Sequence, residues 1–359
     1  MTNASFSTRT GSFLVPMGLA ILAACSSNPV GPTPQPAVCG WAVGFNEGGY
    51  ALILHTIDGG ASWFRQGDST SVPDVSLDAV RAVDSLHAWV CGAPTEGYAT
   101  ILSTSDAGAT WTRMGEAGTI PDVELQTIFA LDEDRIWCAG SGNSIVRTLD
   151  GGATWTSISS PRFDGVNWEG IHVQSENSIW VCGGAGDGNG WIAYTDDGGL
   201  SWTPQGDSLL LTGYMPISIT AWGGYHVFLV GGHYTVARSD NGGLDWELCL
   251  PEGLERTPES DDANGICQIG PETLLMCLDY GKIYRTTDWG DTWTELPTGF
   301  GGYLLLRICA MDDGQRAWAA GLSQDPGIII STSDGANWTQ QTIPTTGSMT
   351  DIHFVGSRH

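Results

Sequence analysis

The sequence predicts one all-β domain, a seven-bladed β-propeller of four-stranded antiparallel blades that is closed by its own C-terminal strand. Three observations lead there. A short phrase ending in tryptophan returns seven times, at Trp63, Trp111, Trp155, Trp202, Trp246, Trp293 and Trp338, with spacings of 48, 44, 47, 44, 47 and 45 residues. A fixed period of roughly 40–50 residues marks stacked supersecondary units, each too small to bury its own hydrophobic face. Each interval holds four short runs with period-two alternation, and the two ends of the chain read as parts of one blade.

The elements follow in order within each unit. Strand one is short and alternating, as in Leu77–Val83 and Leu125–Leu131. Strand two carries a large apolar residue, two further residues and a small one. Trp41-Ala42-Val43-Gly44, Trp89-Val90-Cys91-Gly92, Trp137-Cys138-Ala139-Gly140, Trp180-Val181-Cys182-Gly183 and Trp318-Ala319-Ala320-Gly321 show it, with Phe228 and Leu275 replacing the Trp in units five and six. Strand three ends at Thr or Ser, and strand four begins at the repeated Trp.

Between strands three and four stands the phrase Ser/Thr-x-Asp-x-Gly-x-Thr/Ser-Trp, and its chemistry is that of a tight turn. Asp58, Asp106, Asp150, Asp197 and Asp288 are placed to accept backbone N–H groups two or three residues on. Gly60, Gly108, Gly152, Gly199, Gly243 and Gly290 supply positive φ. The Trp then buries its ring between neighbouring sheets. In unit five Asn241 replaces the Asp. In unit seven Ser333 is read at the Asp position with Asp334 one place late, followed by Gly335, so this turn is expected to be the least regular.

The phrase resembles the Asp box, or BNR repeat, of sialidases, sortilin-type receptors and the photosystem II assembly and stability factor. With the Trp-x-x-Gly strand before each box, residues 39–359 look most like the photosystem II assembly factor branch. That resemblance implies a non-enzymatic scaffold that binds another protein during assembly of an envelope or membrane complex. The photosynthetic members use an Arg cluster on one face for partner contact, and this chain has few basic residues to build one.

The ring closes at its ends. Thr350–His359 reads as strand one of a unit whose strand two is Gly40–Gly44, so the C-terminus is expected to complete the first blade and leave no open edge.

The N-terminal residues read differently. Arg9 precedes an apolar run from Phe13 to Ala24, too short to span a bilayer but suited to a signal peptide over residues 1–24. Leu22-Ala23-Ala24-Cys25 resembles the lipobox of bacterial lipoproteins, which implies lipidation at Cys25. Residues 25–38 are polar and proline-rich, as a tether would be. By the same resemblance, Ser26 favours the outer membrane. Attachment to the membrane is expected through this lipid only.

Composition narrows the partners. With 14 basic and 40 acidic residues the formal net charge is −26, which repels phosphate backbones and argues against nucleic acid. Charged residues make up only 15% of the chain, against 50 Gly and 16 Trp, as suits short strands and tight turns.

No catalytic, cofactor or metal constellation emerges. The repeated Asp residues each serve their own turn and cannot converge on one substrate. Sialidase chemistry needs three converging Arg, a Tyr–Glu pair and an acid. Arg147, Arg238 and Arg285 recur at equivalent places on different blades, which points to a structural role. Arg81 and Arg307, on innermost strands, are the best channel-facing cations. The cysteines lack zinc spacing. Cys91, Cys182 and Cys277 share one strand-two position, and a Cys267–Cys309 bridge between blades is conceivable if geometry allows. The face opposite the boxes is expected to carry function, in loops read as long at 45–50, 93–98, 184–191 and 322–327. Glu47, Tyr50, Glu96, Tyr98, Asp187, Trp191 and Asp325 are its candidate binding residues. The reading is a lipid-anchored, exported scaffold for an unidentified envelope or membrane protein. The alternative is an exported glycan-active enzyme or carbohydrate-binding propeller. Oligomeric state is left open.

Overall fold

The computed structural model describes residues 38–206, 211–270, 272–322 and 327–356. They form seven four-stranded antiparallel sheets in chain order. The innermost strands are Leu77–Ala82, Leu125–Ala130, Val166–Val173, Pro216–Trp222, Ala263–Gln268, Leu304–Ala310 and, for the first blade, Met349–Gly356. Residues 1–37, which hold the expected signal peptide, Cys25 and tether, lie outside the described residues.

Closure occurs as the chain ends imply. Met349–Gly356 pairs antiparallel with Val38–Glu47, in a register that sets Trp41 against His353 and Val43 against Asp351. Phe354 locks the joint. Its ring stacks on Trp318 of the last blade at 3.8 Å and meets the edge of Trp63 at 5.7 Å. It also occupies the space that a Cβ on Gly40 would fill. One aromatic side chain therefore bridges first and last blades through apolar contact.

Strand two of each blade is buried on both faces, because neighbouring blades cover both. Trp41, Trp137 and Phe228 are fully buried, and Trp89, Trp180, Leu275 and Trp318 nearly so. The small residue that closes the Trp-x-x-Gly segment has a cause that the sequence does not announce. Every innermost strand carries a β-bulge at the same register, with Asp78, Gln126, Glu169, Ile217, Asn264, Leu306 and Thr350 as the extra residues. The bulge drives a backbone carbonyl against strand two. At Gly44, Gly92, Gly140, Gly183, Gly231 and Gly321 a Cβ would collide with that backbone. The sixth blade carries Leu278 instead.

The bulge also explains the cysteines. Cys91 Sγ donates to Leu125 O at 3.3 Å, and Cys277 Sγ reaches Leu305 O at 3.6 Å, in each case the bulge carbonyl of the next blade. Thr350 does the same for Leu77 O at 2.7 Å. Cys267 and Cys309 are free thiols, so the conceivable bridge between them is not formed.

Two of the segments read as long loops are not loops. Strand pairing continues to Glu47↔Tyr50 and Thr95↔Tyr98, leaving two-residue turns at Gly48-Gly49 and Glu96-Gly97 with both φ positive. This is the hairpin turn whose twist matches that of the strands it joins.

Candidate functional site

The repeat turns are built from three side chains. In the first, Thr56 Oγ1 donates to Asp58 Oδ1 at 2.8 Å and accepts Gly60 N–H at 2.9 Å, while Asp58 accepts Ser62 N–H at 2.9 Å. The same bonds recur around Asp106, Asp150, Asp197 and Asp288. The N–H accepted by these carboxylates lies four residues on, not two or three as the phrase suggests. Hydrogen bonding to the ionised form holds each of them below the ordinary Asp range, Asp197 at about 2. Asn241 keeps the pattern by accepting Asp245 N–H and donating to its carboxylate.

The seventh turn corrects the register read from the sequence. Thr332 Oγ1 donates to Asp334, which accepts the N–H groups of Ala336 and Asn337. Asp334, not Ser333, stands at the Asp position. The turn is one residue short, and Gly335, with φ of 70°, matches the first glycine at Gly59 (72°) rather than Gly60 (93°).

The second glycine of each full turn has a further duty. A Cβ there would meet a side chain from the preceding blade, three residues beyond that blade's Trp, overlapping it in every case but Gly290, where Cys249 is at contact distance and the overlap is with Phe228. Gln341 meets Gly60, Gln66 meets Gly108, Met114 meets Gly152, Ile158 meets Gly199, Gln205 meets Gly243 and Cys249 meets Gly290. The tryptophans join the same seam. Trp63 donates to Gln341, Trp111 to Gln66, Trp202 to Ile158 O and Trp293 to Cys249 O, whereas Trp246 turns back to its own Gly243. Trp155 and Trp338 are buried at 8% and 7% exposure with Nε1 unpaired, so their contribution is apolar. Among the other repeated cations, Arg238 pairs with Glu247 and Asp291, and Arg147 reaches Glu176 O of the next blade.

The residues nominated on the opposite face are held by their own neighbours. Arg65 lies over the Tyr50 ring at 4.0 Å and pairs with Glu47 at 3.1 Å. Arg113 repeats this with Tyr98 at 3.9 Å and Glu96 at 3.1 Å. Trp191 packs its edge on Phe163, and Asp187 caps the turn at Asn189. Asp325 lies outside the described residues. No metal-binding cluster of His, Cys, Asp and Glu occurs among the described residues.

The axis holds a cavity of about 850 Å³. It lies toward the box side, bounded by the later residues of the innermost strands. Its walls follow the strand register. One row is uniformly aliphatic: Val80, Ile128, Ile171, Ile219, Ile266, Ile308 and Ile352, the partners of the residue after each strand-two Trp. The next row is not uniform. The partners of the Trp position itself are Arg81, Phe129, His172, Thr220, Cys267, Cys309 and His353. The repeat accounts for the first row and does not account for the second.

Charge in the channel is divided along the axis. Arg307 donates to Leu306 O at 2.9 Å and Asn264 O at 3.2 Å. Asp351 accepts Val80 N–H at 2.8 Å and stays above the usual carboxylate range through burial, an effect opposed by Arg307 and Arg81. Burial and then Arg81 push His172 down to about 3, and the same causes lower His353, so both rings are neutral. At the bulge level Gln126 donates to Glu169 at 3.1 Å. Beside them Asp78 is pushed up to about 7, first by burial and then by Glu124 and Glu169, and its Oδ2 has no partner.

A consequence follows for stability. Between pH 3.8 and about 7 the native Asp78 keeps a proton that the unfolded chain has lost, so its contribution is fully present below that window and falls as pH rises through it. Asp78→Asn is expected to match the parent near pH 4 and to exceed it by roughly 2–4 kcal/mol above pH 7, read from urea unfolding across that range.

Arg81 and Arg307 do meet at one cavity, as their strand positions imply. Among the described residues its walls carry no third Arg and neither Tyr nor Glu. The sialidase constellation is not assembled there.

Fold and site together define the class: a closed seven-bladed β-propeller with a Thr/Ser-Asp turn in six blades and a Ser-Asn turn in the fifth, carrying an axial cavity without the sialidase residues. Comparison with known proteins agrees with the resemblance carried by the repeats. Residues 37–161 match the family model of photosynthesis system II assembly factor YCF48. The photosystem II assembly lipoprotein Ycf48 of Synechococcus sp. (strain CC9902) is 26% identical over 211 residues, which is 58% of this chain and 59% of that protein. The aligned stretch thus spans little more than half of either chain. Among solved structures, YCF48 bound to D1 peptide superposes with a TM-score of 0.60 at 18% identity, covering 88% of this chain and 95% of that one. A GH74 xyloglucanase from Xanthomonas campestris gives the same score at 14% identity, over 90% of this chain and 55% of the enzyme. At such identities the structures speak for fold alone.

Proposed function

We propose that this chain is a non-catalytic scaffold of the cell envelope that binds another protein, as the YCF48-like assembly factors it resembles do in photosystem assembly. One observation carries the reading. On the box side, neighbouring blades four and five expose Leu200, Trp222, Tyr225 and Leu244 at 88%, 47%, 67% and 78%. Large apolar side chains grouped on one face of a soluble propeller mark a contact surface for protein. The comparisons support this: one relative is named an assembly lipoprotein, and one similar structure is described with a bound peptide. The acidic charge of this chain favours a basic partner surface over nucleic acid or anionic lipid.

The lipid anchor belongs to the same proposal. Cys25 would carry it and residues 25–38 would act as tether, with the outer membrane favoured by Ser26. Cys25→Ser is expected to move the protein from the membrane pellet to the soluble exported fraction with an unchanged unfolding profile. Retention in the pellet would count against the anchor. The scaffold itself is tested by pull-down from detergent-solubilised membranes with the parent and with Trp222→Ser/Tyr225→Ser. A partner retained by the first and lost by the second supports it. Equal recovery by both places the contact elsewhere, and no specific partner overturns the reading.

A further inference from the structure

The axial cavity contains a cation that the fold does not use. Arg81 lies over the Phe129 ring at 4.3 Å. Its guanidinium donates no hydrogen bond to any described residue, whereas Arg307, the other arginine of the innermost strands, is bonded to backbone. The carboxylate whose field reaches it, Asp351, is already engaged by Val80 N–H, Ile352 N–H and the field of Arg307. A planar fork of donors thus faces open space about the size of a drug-like ligand.

We propose that this cavity binds a small apolar monocarboxylate, with its carboxylate on Arg81 and its body against Phe129 and the mouth of the channel. The mouth is suited to that body. Val83, Leu131, Trp222, Met311 and Val355 line it, at the register two residues beyond the Arg81 row, with Gln174 as the polar member of that register. His172 and His353 flank the base as neutral rings, beside the Thr220 hydroxyl. Arg81 selects the carboxylate because guanidinium and carboxylate match in planar, paired geometry.

Net charge sets the valence of the ligand. Arg81 and Arg307 both line the cavity, but Arg307 is turned to backbone carbonyls and offsets Asp351 and Glu169, which leaves Arg81 as the one positive charge open to a ligand, with Asp312 also in the lining and Glu124 behind it. A monoanion neutralises Arg81, whereas a phosphate dianion would carry surplus charge into an acidic field. The proposal needs no protein partner, although Trp222 belongs both to the cavity mouth and to the exposed apolar surface of blades four and five.

Calorimetric titration of the exported domain tests it, with phenylacetate as probe, phenylacetamide as its neutral isostere and inorganic phosphate as the competing anion. Phenylacetate is expected to bind with Kd of roughly 1 mM or tighter, with phenylacetamide and phosphate at least tenfold weaker. Arg81→Gln should weaken phenylacetate about ten- to a hundredfold, as loss of a charged hydrogen-bonding pair does. Thr220→Phe keeps Arg81 but fills the cavity, and should abolish binding should Arg81→Gln fail to fold. Equal binding of the amide, unchanged binding by the folded Arg81→Gln protein, or no binding of phenylacetate at tens of millimolar would overturn the assignment.

Discussion

Deleting residues 349–359 is expected to abolish cooperative folding of the propeller rather than merely loosen one blade. The lost strand supplies seven paired positions to Val38–Glu47 and covers Trp41, Leu52 and Leu54 on the first blade. Without it the first blade presents a bare strand edge in the channel and the last blade loses its neighbour. An unpaired edge recruits other chains, so the truncated protein should appear as aggregate or exchanged oligomer by light scattering. The point variant Phe354→Ala isolates the seam. It removes the ring stacked on Trp318 and leaves a hole above Gly40, at a cost of about 3–5 kcal/mol. A monomeric truncated domain with a sharp thermal transition near that of the parent would contradict closure by strand exchange.

Gly92→Val is expected to be nearly as damaging, for the opposite reason. The site has no room: a Cβ would overlap Ser76 O and come within 2.7 Å of Leu77 Cα, both backbone atoms of the bulged strand. Flexible side chains can yield to such a contact, but the bulge cannot shift without giving up its ladder. We expect about 3 kcal/mol or more of destabilisation for Gly92→Val, somewhat less for Gly92→Ala, measured by urea unfolding. Gly97→Ala serves as the control, since its Cβ would meet nothing within 4 Å; its φ of +87° should cost only about 1 kcal/mol. Equal effects at Gly92 and Gly97 would show that backbone strain, and not the bulge, explains the glycine.

These two variants mark what could and could not be read from the chain. Blade number, strand order and closure were legible because each repeats or complements a pattern in the residues themselves. The bulges were not. Their extra residues include Asp78, Ile217 and Leu306, which share no chemistry, so no residue type marks the bulge. The seam beneath the second box glycine was hidden for a similar reason. Gln341, Met114, Ile158 and Cys249 fill one structural position with four side-chain types.

The opposite-face residues show a different limit. Glu47, Tyr50, Glu96 and Tyr98 have the composition of a binding surface. Yet Arg65 and Arg113 stand two residues after Trp63 and Trp111, and each lies on the Tyr of its own blade. That spacing was available in the sequence and would have pointed to a structural pair. Arg81 was found as a channel cation from its strand alone. Its surroundings were not, because His172, His353 and Phe129 come from three other blades.

The scaffold reading is tested most directly by photocrosslinking in intact cells, with a crosslinking amino acid at Tyr225 on the box side and, separately, at Tyr98 on the opposite side. The account predicts one discrete membrane-protein adduct from position 225 and none from position 98. Absence of any adduct from either position, together with hydrolysis of xyloglucan or a sialoside by the purified domain, would contradict it and establish the enzyme alternative.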